Sequence, residues 1–489
     1  MRRGCRSWRI LALAALVLFV IAGLTFQLVV RPSAEEPSGD DSGAPRPDAG
    51  AAGGERRPDV LLVVLDMVRA DRLGVCGYGR PTSPTLRDLS ERPGAALSCR
   101  AYTPGTWTLP SHASFFTGVD VPAHGADCTT HPEKARTISL WGDRVRPLGD
   151  ELTTLAERMR RRGYRTVMVS GNPVVSERAS TGLARGFQVV RDCESFGDLY
   201  GEDLVAALQD ALDASARGPD SDNPLFLLVN VCDAHHPWAA IPPGLSWVPP
   251  RVALDNRPRD PQNPYPRFYR EQLSPREKEL FLELISDSYD YAVFRSDRTL
   301  GMVIGELRSR KALGDDFRLV VTSDHGEFLG EHELLSHGTF TYEEDTRVPL
   351  LFWERRGGVA RPAIDFDEPM SALAAHDLAL AGRRADPPRP VRAAGYPDGL
   401  LSELFGDRLR ATTAALWSGD QKLFWNSGNY SLFDLAADPR EQNPRPLPED
   451  HPLRDEFEKF VSRVRSAGRR PSPPSPEMIE ALERLGYVN

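Results

Sequence analysis

Residues 317–327 read Phe317-Arg318-Leu319-Val320-Val321-Thr322-Ser323-Asp324-His325-Gly326-Glu327. The first six are mainly apolar or β-branched, which is typical of a buried strand. An Asp and a His follow directly, and a carboxylate with an imidazole suits Mn²⁺, Zn²⁺ or a similar divalent ion. An earlier apolar run, Val60 to Leu65, also ends in an acidic residue, Asp66. Two strand ends that each carry a ligand predict a parallel sheet with its chemistry at one edge.

Four apolar runs of this kind recur along the chain, with helical stretches between them. They end at Asp66, near Asn172, near Asp233 and His235, and at Asp324. Continuous apolar strands that alternate with helices indicate a parallel sheet covered on both faces. We therefore expect the polar clusters after these runs to meet at the carboxyl edge of the sheet, where α/β proteins bind ligands.

The predicted fold class is α/β, with a mixed, mostly parallel central sheet flanked by helices and a smaller C-terminal α+β subdomain. The catalytic part is expected over residues 58–355 and the subdomain over 356–489, because periodicity weakens after about Trp353. Residues 151–162 read as one helix. The longest helix is predicted to begin at Ser274-Pro275-Arg276-Glu277, which combines an N-cap Ser, a Pro at the first position and a Glu at the third.

The N-terminus has the composition of a membrane anchor. Arginines in residues 1–9 precede an uncharged apolar stretch at residues 10–30, which as a helix is roughly 31 Å long, close to one bilayer core. This length favours an uncleaved signal anchor over a cleaved signal peptide. The basic tail is expected to stay in the cytoplasm and the catalytic part to be extracytoplasmic, in the periplasm or at the cell surface. Residues 31–57, rich in Pro, Gly, Ala and Asp, are expected to be a flexible linker.

The charge of the chain limits its possible partners, and its cysteines allow disulfides in an oxidising compartment. The formal net charge is -9 and no long basic stretch is present, which argues against nucleic acid as a partner. Five of the six cysteines follow the apolar stretch, so an oxidising compartment would allow one or two disulfides, whose pairing the sequence leaves open. Surface or turn positions are expected for four histidines that have no recognisable partner, His124, His131, His376 and His451.

A further segment combines helix-start signals with a hydroxyl group. Residues 107–118 place Pro110 where it suits the first turn of a helix and Gly118 where it suits the end, so Thr108 lies at or just before the N-terminus. Backbone N–H groups at such a terminus favour a bound anion. A threonine hydroxyl that touches a divalent cation becomes a usable nucleophile. The alternative interpretation is a plain N-cap threonine.

These motifs form part of a longer series that extends from about Pro58 to Asn443. They are Val64-Leu65-Asp66-Met67-Val68-Arg69-Ala70-Asp71, Thr108-Leu109-Pro110-Ser111-His112, Asp233-Ala234-His235-His236-Pro237-Trp238, Thr322-Ser323-Asp324-His325-Gly326-Glu327, Gly330-Glu331-His332, His337-Gly338, Arg347-Val348-Pro349-Leu350, and Leu432-Phe433-Asp434-Leu435 with Asp438-Pro439-Arg440-Glu441. In order and spacing the set resembles the sulfatase family of the alkaline phosphatase superfamily. The resemblance implies an alkaline phosphatase-like fold and a metal-dependent hydrolase of sulfate or phosphate esters.

The resemblance also implies a metal site. One divalent ion (Mn, Zn, Mg or Ca, with Mn or Zn favoured) would be held by Asp66, Asp324 and His325. Thr108 would be the fourth ligand and the nucleophile.

Three further histidines match positions near the substrate in this family. His235 falls where the family places a histidine near the leaving-group oxygen, which suggests a general acid. His337 falls where related enzymes place a His or Lys that contacts the ester oxygens. His112 stands where sulfatases usually carry Arg, which implies that it orients Thr108 or the anion.

Two departures from the family pattern favour phosphoryl transfer over sulfate chemistry. Formylglycine sulfatases oxidise a Cys or Ser, but the methyl group on the Cβ of Thr108 rules out this modification. Other branches of the superfamily use an unmodified Thr. Formylglycine sulfatases also commonly show Asp-Asn at the position of Asp324-His325, and the Asp-His pair is familiar in phosphonate and phosphodiester hydrolases of the superfamily.

Three functions remain open from the sequence. The first is a hydrolase that acts on a sulfated or phosphorylated glycan, lipid or small ester. The second is a transferase that moves a phospho-headgroup from a lipid; known transferases of this type usually carry several membrane spans, which favours the hydrolase. The third is a catalytically silent protein that binds anionic glycans. The intact set Asp66, Asp324, His325 and His235 argues against the third.

Overall fold

The computed structural model describes residues 57–128, 136–137, 144–253, 264–310, 315–366, 368–397 and 409–467. The predicted basic tail 1–9, membrane anchor 10–30 and nearly all of the linker 31–57 lie outside these residues. Over the described ranges, no helix combines the length and apolar composition that a bilayer crossing needs.

A nine-stranded sheet is the centre of the fold. In chain order its strands are β1 (Asp59–Leu65), β2 (Ala96–Tyr102), β3 (Arg165–Ser170), β4 (Val189–Asp192), β5 (Leu225–Val231), β6 (Phe317–Thr322), β7 (Arg347–Arg356), β8 (Val359–Ala360) and β9 (Met370–Ser371). The order across the sheet is β9-β2-β7-β6-β1-β5-β3-β4, with β8 paired to β7. The five strands from β6 to β4 are parallel, and β7 is antiparallel to both β6 and β2. The prediction of a mixed, mostly parallel sheet is confirmed.

Strand β1 shows why these runs are continuously apolar. Side chains alternate between the two faces of a strand, and residues 60, 62 and 64 belong to one apolar core while 61, 63 and 65 belong to another. All seven residues of β1 are buried because both faces of the sheet are covered. The four strands predicted to end in polar clusters, β1, β3, β5 and β6, lie side by side. Their carboxyl ends therefore meet at one edge.

The described residues form ten helices. They are α1 (Pro84–Ser90), α2 (Thr108–Thr117), α3 (Val121–His124), α4 (Leu155–Arg161), α5 (Glu202–Ala216), α6 (Pro264–Tyr269), α7 (Pro275–Ser309), α8 (Glu343–Thr346), α9 (Ala374–Ala381) and α10 (Arg454–Ala467), with 3-10 turns at Ala70–Arg72, Gly74–Cys76 and Glu331–Glu333. Helix α7 begins with the predicted capping box, in which Ser274 and Glu277 each accept the other's backbone N–H. Helix α4 begins later than predicted because Thr154 and Glu157 form its capping box.

The C-terminal part contains a second sheet. Its five antiparallel strands are β10 (Arg392–Gly395), β11 (Thr413–Ser418), β12 (Gln421–Asn426), β13 (Asn429–Asp434) and β14 (Arg445–Pro446). Helix α10 packs on this sheet through an apolar core that includes Phe457 and Phe460. Short antiparallel ribbons join Asp127–Cys128 and Arg136–Thr137 to Arg144–Arg146, and Phe328–Leu329 to Leu335–Ser336. Strand β9 still belongs to the central sheet, and the first strand of the smaller sheet begins at Arg392.

The pairing of cysteines and the burial of histidines depend on tertiary contacts. A disulfide joins Cys76 to Cys99, with 5.7 Å between the Cα atoms, in line with the expectation of one or two bridges. Surface or turn positions are predicted for His124 and His376, but the structure buries both residues, which are only 5% and 3% exposed. His124 contacts Ser114 of α2, and His376 donates to the carbonyl oxygen of Phe115 on the same helix. His451 is half-buried, and His131 lies outside the described residues.

Candidate active site

Three predicted metal ligands meet at the carboxyl edge of the central sheet. Asp66 follows β1, and Asp324 and His325 follow β6; all three are fully buried. One ligand atom from each lies within 4.8 Å of the others. His325 Nε2 is 3.9 Å from Asp66 Oδ1 and 3.6 Å from Asp324 Oδ2. The geometry therefore brings together residues that are remote along the chain.

The carboxylates at this edge have one satisfied oxygen each and one unsatisfied oxygen each. Asp66 Oδ2 accepts from Nδ2 of Asn172 at 2.5 Å. Asp324 Oδ1 accepts from the backbone N–H groups of Met67 and His325, at 3.1 and 3.0 Å. Within the described part of the chain, no hydrogen bond reaches Asp66 Oδ1 or Asp324 Oδ2. Because an unpaired buried carboxylate oxygen is costly, these two atoms fit the ligands of a bound cation.

His325 is oriented as a metal ligand. Its Nδ1–H donates to the carbonyl oxygen of Gly326 at 2.9 Å. A carbonyl oxygen can only accept, so the Nε2 lone pair faces the two carboxylates, as in metal-binding histidines. Burial lowers the pKa of His325 well below its usual range, which keeps the imidazole in its neutral, ligating form. Burial and the nearby Asp66 raise the pKa of Asp324, an effect that a cation at this point would oppose.

Thr108 is the first residue of α2 and is only 3% exposed. Its Oγ1 lies 3.5 Å from His325 Nε2 and accepts a hydrogen bond from Nδ2 of Asn172 at 3.1 Å. Trp107 occupies the N-cap position. The plain N-cap interpretation of Thr108 is therefore wrong, and its hydroxyl faces the predicted ligands at a helix end that favours anions.

His112 contacts the backbone of Thr108, the predicted nucleophile. Its Nδ1–H donates to the carbonyl oxygen of Thr108 at 3.0 Å, and its Nε2 accepts from Nδ2 of Asn230 at 3.0 Å. Nδ1 is also 3.4 Å from Oδ2 of Asp324. Burial lowers the pKa of His112 to about 4, so the ring is neutral at pH 7. Of the two predicted roles, this position fits orienting Thr108 rather than binding the anion.

His235 and His337 lie on the more open side of the site, and both are half-buried. The His337 ring is 4.3 Å from the His325 ring and 5.7 Å from the His235 ring, measured between centroids. His235 donates from Nδ1 to the carbonyl oxygen of His236 at 2.8 Å and stacks on Phe196 at 3.9 Å. Nε2 of His235 is therefore the atom left to handle a proton.

Three side chains of the site have no assigned role in the sequence-based prediction. Asn172 bridges Asp66 and Thr108, Asn230 fixes His112, and Oε2 of Glu327 lies 2.6 Å from Nδ1 of His337. Asn172 follows the apolar run of β3, so its position at the sheet edge was a usable signal. Asn230 is the only polar residue in the run Leu225–Val231, which was another such signal.

The fold and site together define a class of protein. A mixed sheet that carries two Asp and one His at its edge, with a hydroxyl at a facing helix N-terminus, is an arrangement suited to ester hydrolysis at a single metal. The family profile described as Sulfatase matches residues 58–374. The chain belongs to the sulfatase family.

Individual relatives are distant. The chain is 22% identical to the uncharacterized sulfatase YidJ of Escherichia coli K12 over 62% of this chain and 64% of the relative. It is 27% identical to the extracellular sulfatase SULF-1 homolog of Drosophila melanogaster over 61% and 27%. The chain thus spans less than two thirds of either curated relative. The crystal structure of phosphonate monoester hydrolase of Agrobacterium radiobacter superposes with a TM-score of 0.53 at 17% identity, over 84% of this chain and 95% of that chain.

Proposed function

We propose that this protein is a metal-dependent hydrolase that uses the unmodified hydroxyl of Thr108 as its nucleophile. The observation that carries the proposal is the position of Thr108 Oγ1, 3.5 Å from His325 Nε2 and bonded to the Asn172 side chain that also holds Asp66. Asp66, Asp324 and His325 would hold one divalent ion, with the hydroxyl as fourth ligand. When bound, this ion lowers the pKa of the hydroxyl and neutralises the ester anion.

The reaction then proceeds in two displacements. Oγ1 of Thr108 attacks the phosphorus or sulfur atom as the alkoxide, the form that the second step restores, and the bond to the leaving oxygen breaks. Nε2 of His235 protonates the leaving oxygen, since Nδ1 is committed to a carbonyl group. In the second step water attacks the same atom, His235 takes the proton from water, and the bond to Oγ1 breaks. His337, placed between His325 and His235, would contact the ester oxygens.

Phosphoryl transfer is the favoured form of this reaction. A sulfate group on a threonine has no hemiacetal through which it can leave, so release depends on attack by water at sulfur. The Asp324-His325 pair and the likeness in fold to a phosphonate monoester hydrolase support phosphodiesters or phosphonate esters as substrates. Phospho-headgroup transfer to an acceptor alcohol would use the same first step and stays the alternative.

Location outside the cytoplasm is part of the proposal. The basic and apolar composition of residues 1–30 supports a single anchor. The disulfide between Cys76 and Cys99 supports an oxidising compartment, because cytosolic thiols are kept reduced.

A substrate panel tests the function. Nitrophenyl esters of sulfate, phosphate, methyl phosphate and phenylphosphonate are given to the wild type, Thr108→Ala and Thr108→Ser. We expect the phosphodiester and phosphonate esters to react fastest and Thr108→Ala to lower kcat/KM by at least about 1000-fold, while Thr108→Ser stays measurably active. Thr117→Ala, at the other end of α2, is the matched control. Sulfate as the preferred ester would contradict the phosphoryl assignment, and turnover by Thr108→Ala would contradict the nucleophile.

A further inference from the structure

A second group of potential ligands lies behind the loop that carries Asp324 and His325. His332 of the turn Glu331–Glu333, Glu344 of α8 and Glu441 after β13 each place one ligand atom within 4.8 Å of the others. These residues come from separate segments, and Glu441 lies in the loop between β13 and β14 of the C-terminal sheet. The proposed reaction uses none of them.

The two carboxylates in this group are buried and incompletely paired. Glu344 is 5% exposed and Glu441 is 3% exposed. Among the described residues, no hydrogen bond reaches Glu344 Oε2, Glu441 Oε1 or His332 Nε2. Glu344 Oε2 has only His332 Nε2 nearby, at 3.4 Å, as an ion-pair partner. Buried polar atoms are normally satisfied, so Glu344 Oε2 and His332 Nε2, which have only each other nearby and face the Glu441 carboxylate, indicate a ligand.

The charges around this point do not balance. Glu343, Glu344 and Glu441 supply three carboxylates, and the buried ammonium of Lys422 is the close cation, 2.7 Å from Glu441 Oε1 and 3.7 Å from Glu343 Oε1. The next cation, Arg69, is already paired with Asp71 and Glu331. With all three carboxylates ionised and His332 neutral, two negative charges remain, and one divalent cation would neutralise them.

We propose that His332, Glu344 and Glu441 bind a second divalent cation, such as Zn²⁺ or Mn²⁺. One imidazole and two carboxylates are ligands that Zn²⁺ and Mn²⁺ accept. The His332 ring is held in place by stacking on Tyr342, with ring centroids 3.9 Å apart and planes 7° apart. Glu441 is held through Oε2, which accepts the backbone N–H of Glu343 at 2.7 Å.

The contacts of this site point to a structural role. The carbonyl oxygen of Glu344 accepts the N–H of Glu327 at 3.1 Å, and that of Asp345 accepts the N–H of Gly326 at 2.8 Å. Helix α8 therefore supports the loop directly after His325. A cation shared by Glu344 and Glu441 would join this support to the loop that follows β13 of the C-terminal sheet.

Metal counting on the full-length chain tests the proposal. The variants are Asp66→Asn/Asp324→Asn, which alters the first site, His332→Gln/Glu344→Gln, which alters the second, and the combination of all four substitutions. After dialysis with zinc or manganese chloride and then metal-free buffer, we expect about two bound ions in the wild type, about one in each double variant and none in the combination. Glu333→Gln, beside His332 but exposed, is the matched control and should keep both ions.

Thermal unfolding supplies a second readout. In Asp66→Asn/Asp324→Asn, a chelator should lower Tm because the remaining ion stabilises the folded state. Absence of bound metal from this variant would overturn the second site and would mean that protons and Lys422 balance the cluster. A count unaffected by His332→Gln/Glu344→Gln would overturn the assigned ligands. Neither result bears on Thr108, so the two proposals fail separately.

Discussion

At the scale of single residues, Asn172 links Thr108, the proposed nucleophile, to Asp66, a proposed metal ligand. Its Nδ2 donates to both Asp66 and Thr108, and the residue is fully buried. Removing such a supporting contact typically costs 10- to 100-fold in metal affinity or activity. We expect Asn172→Ala to lower kcat/KM by about 10- to 100-fold. Steady-state kinetics with the best ester of the panel measures this, and Asn223→Ala is the control. An unchanged kcat/KM would remove Asn172 from the site.

The candidate ligands could be predicted from residue types and strand ends, but their hydrogen-bond partners across the fold could not. Asp66, Asp324 and His325 each follow an apolar run, so the parallel sheet alone brings them to one edge. Asn172 follows such a run too, but its double hydrogen bond depends on the position of α2 beside the sheet. The burial of His124 depends on packing against α2 and has no local signal.

At the scale of elements, the turn from β6 to the ribbon at Phe328 needs a glycine. A Cβ at Gly326 would lie 1.9 Å from the carbonyl oxygen of Glu344, and backbone atoms cannot move aside easily. We expect Gly326→Ala to lower the free energy of unfolding by about 1–3 kcal/mol and to weaken metal binding next door at His325. Chemical denaturation measures the first effect. Gly79→Ala is the control, since no described atom lies within 4 Å of its added Cβ.

If Gly326→Ala matched Gly79→Ala in stability and metal content, the close packing of this turn on α8 would be refuted. The sequence predicted β6, the strand before this turn, because a continuous apolar run is a local signal, as is the capping box at Ser274. It did not predict that α8 supports the turn. That contact depends on where a four-residue helix lies in the folded molecule.

At the scale of the whole molecule, buried neutral histidines make stability depend on pH. His124 accepts the N–H of Ala126 at Nδ1 and donates from Nε2 to Ser114, and burial lowers its pKa to about 4. Its ordinary pKa is about 6.5, so on acidification the unfolded chain binds the proton first. The stability is present above pH 6.5 and is lost between pH 6.5 and 4, by roughly 3 kcal/mol for this residue. His112 and His376 add to the same trend.

Denaturant unfolding at pH values from 4 to 8 checks this dependence. The free energy of unfolding of the wild type should fall steeply below pH 6.5, and His124→Gln should show a shallower slope over the same range. Above pH 7 the two slopes should agree, which serves as the internal control. Equal slopes in the acid range would show that protonation of His124 does not contribute to the loss of stability.

The most direct test of the central claim is to locate the covalent adduct formed during turnover. The full-length chain is mixed with a nitrophenyl phosphodiester, quenched in acid within one turnover, digested and analysed by mass spectrometry. The account predicts a phosphoryl ester on the peptide that contains Thr108, and its loss in Thr108→Ala. An adduct on another residue, or continued turnover by Thr108→Ala, would contradict the account.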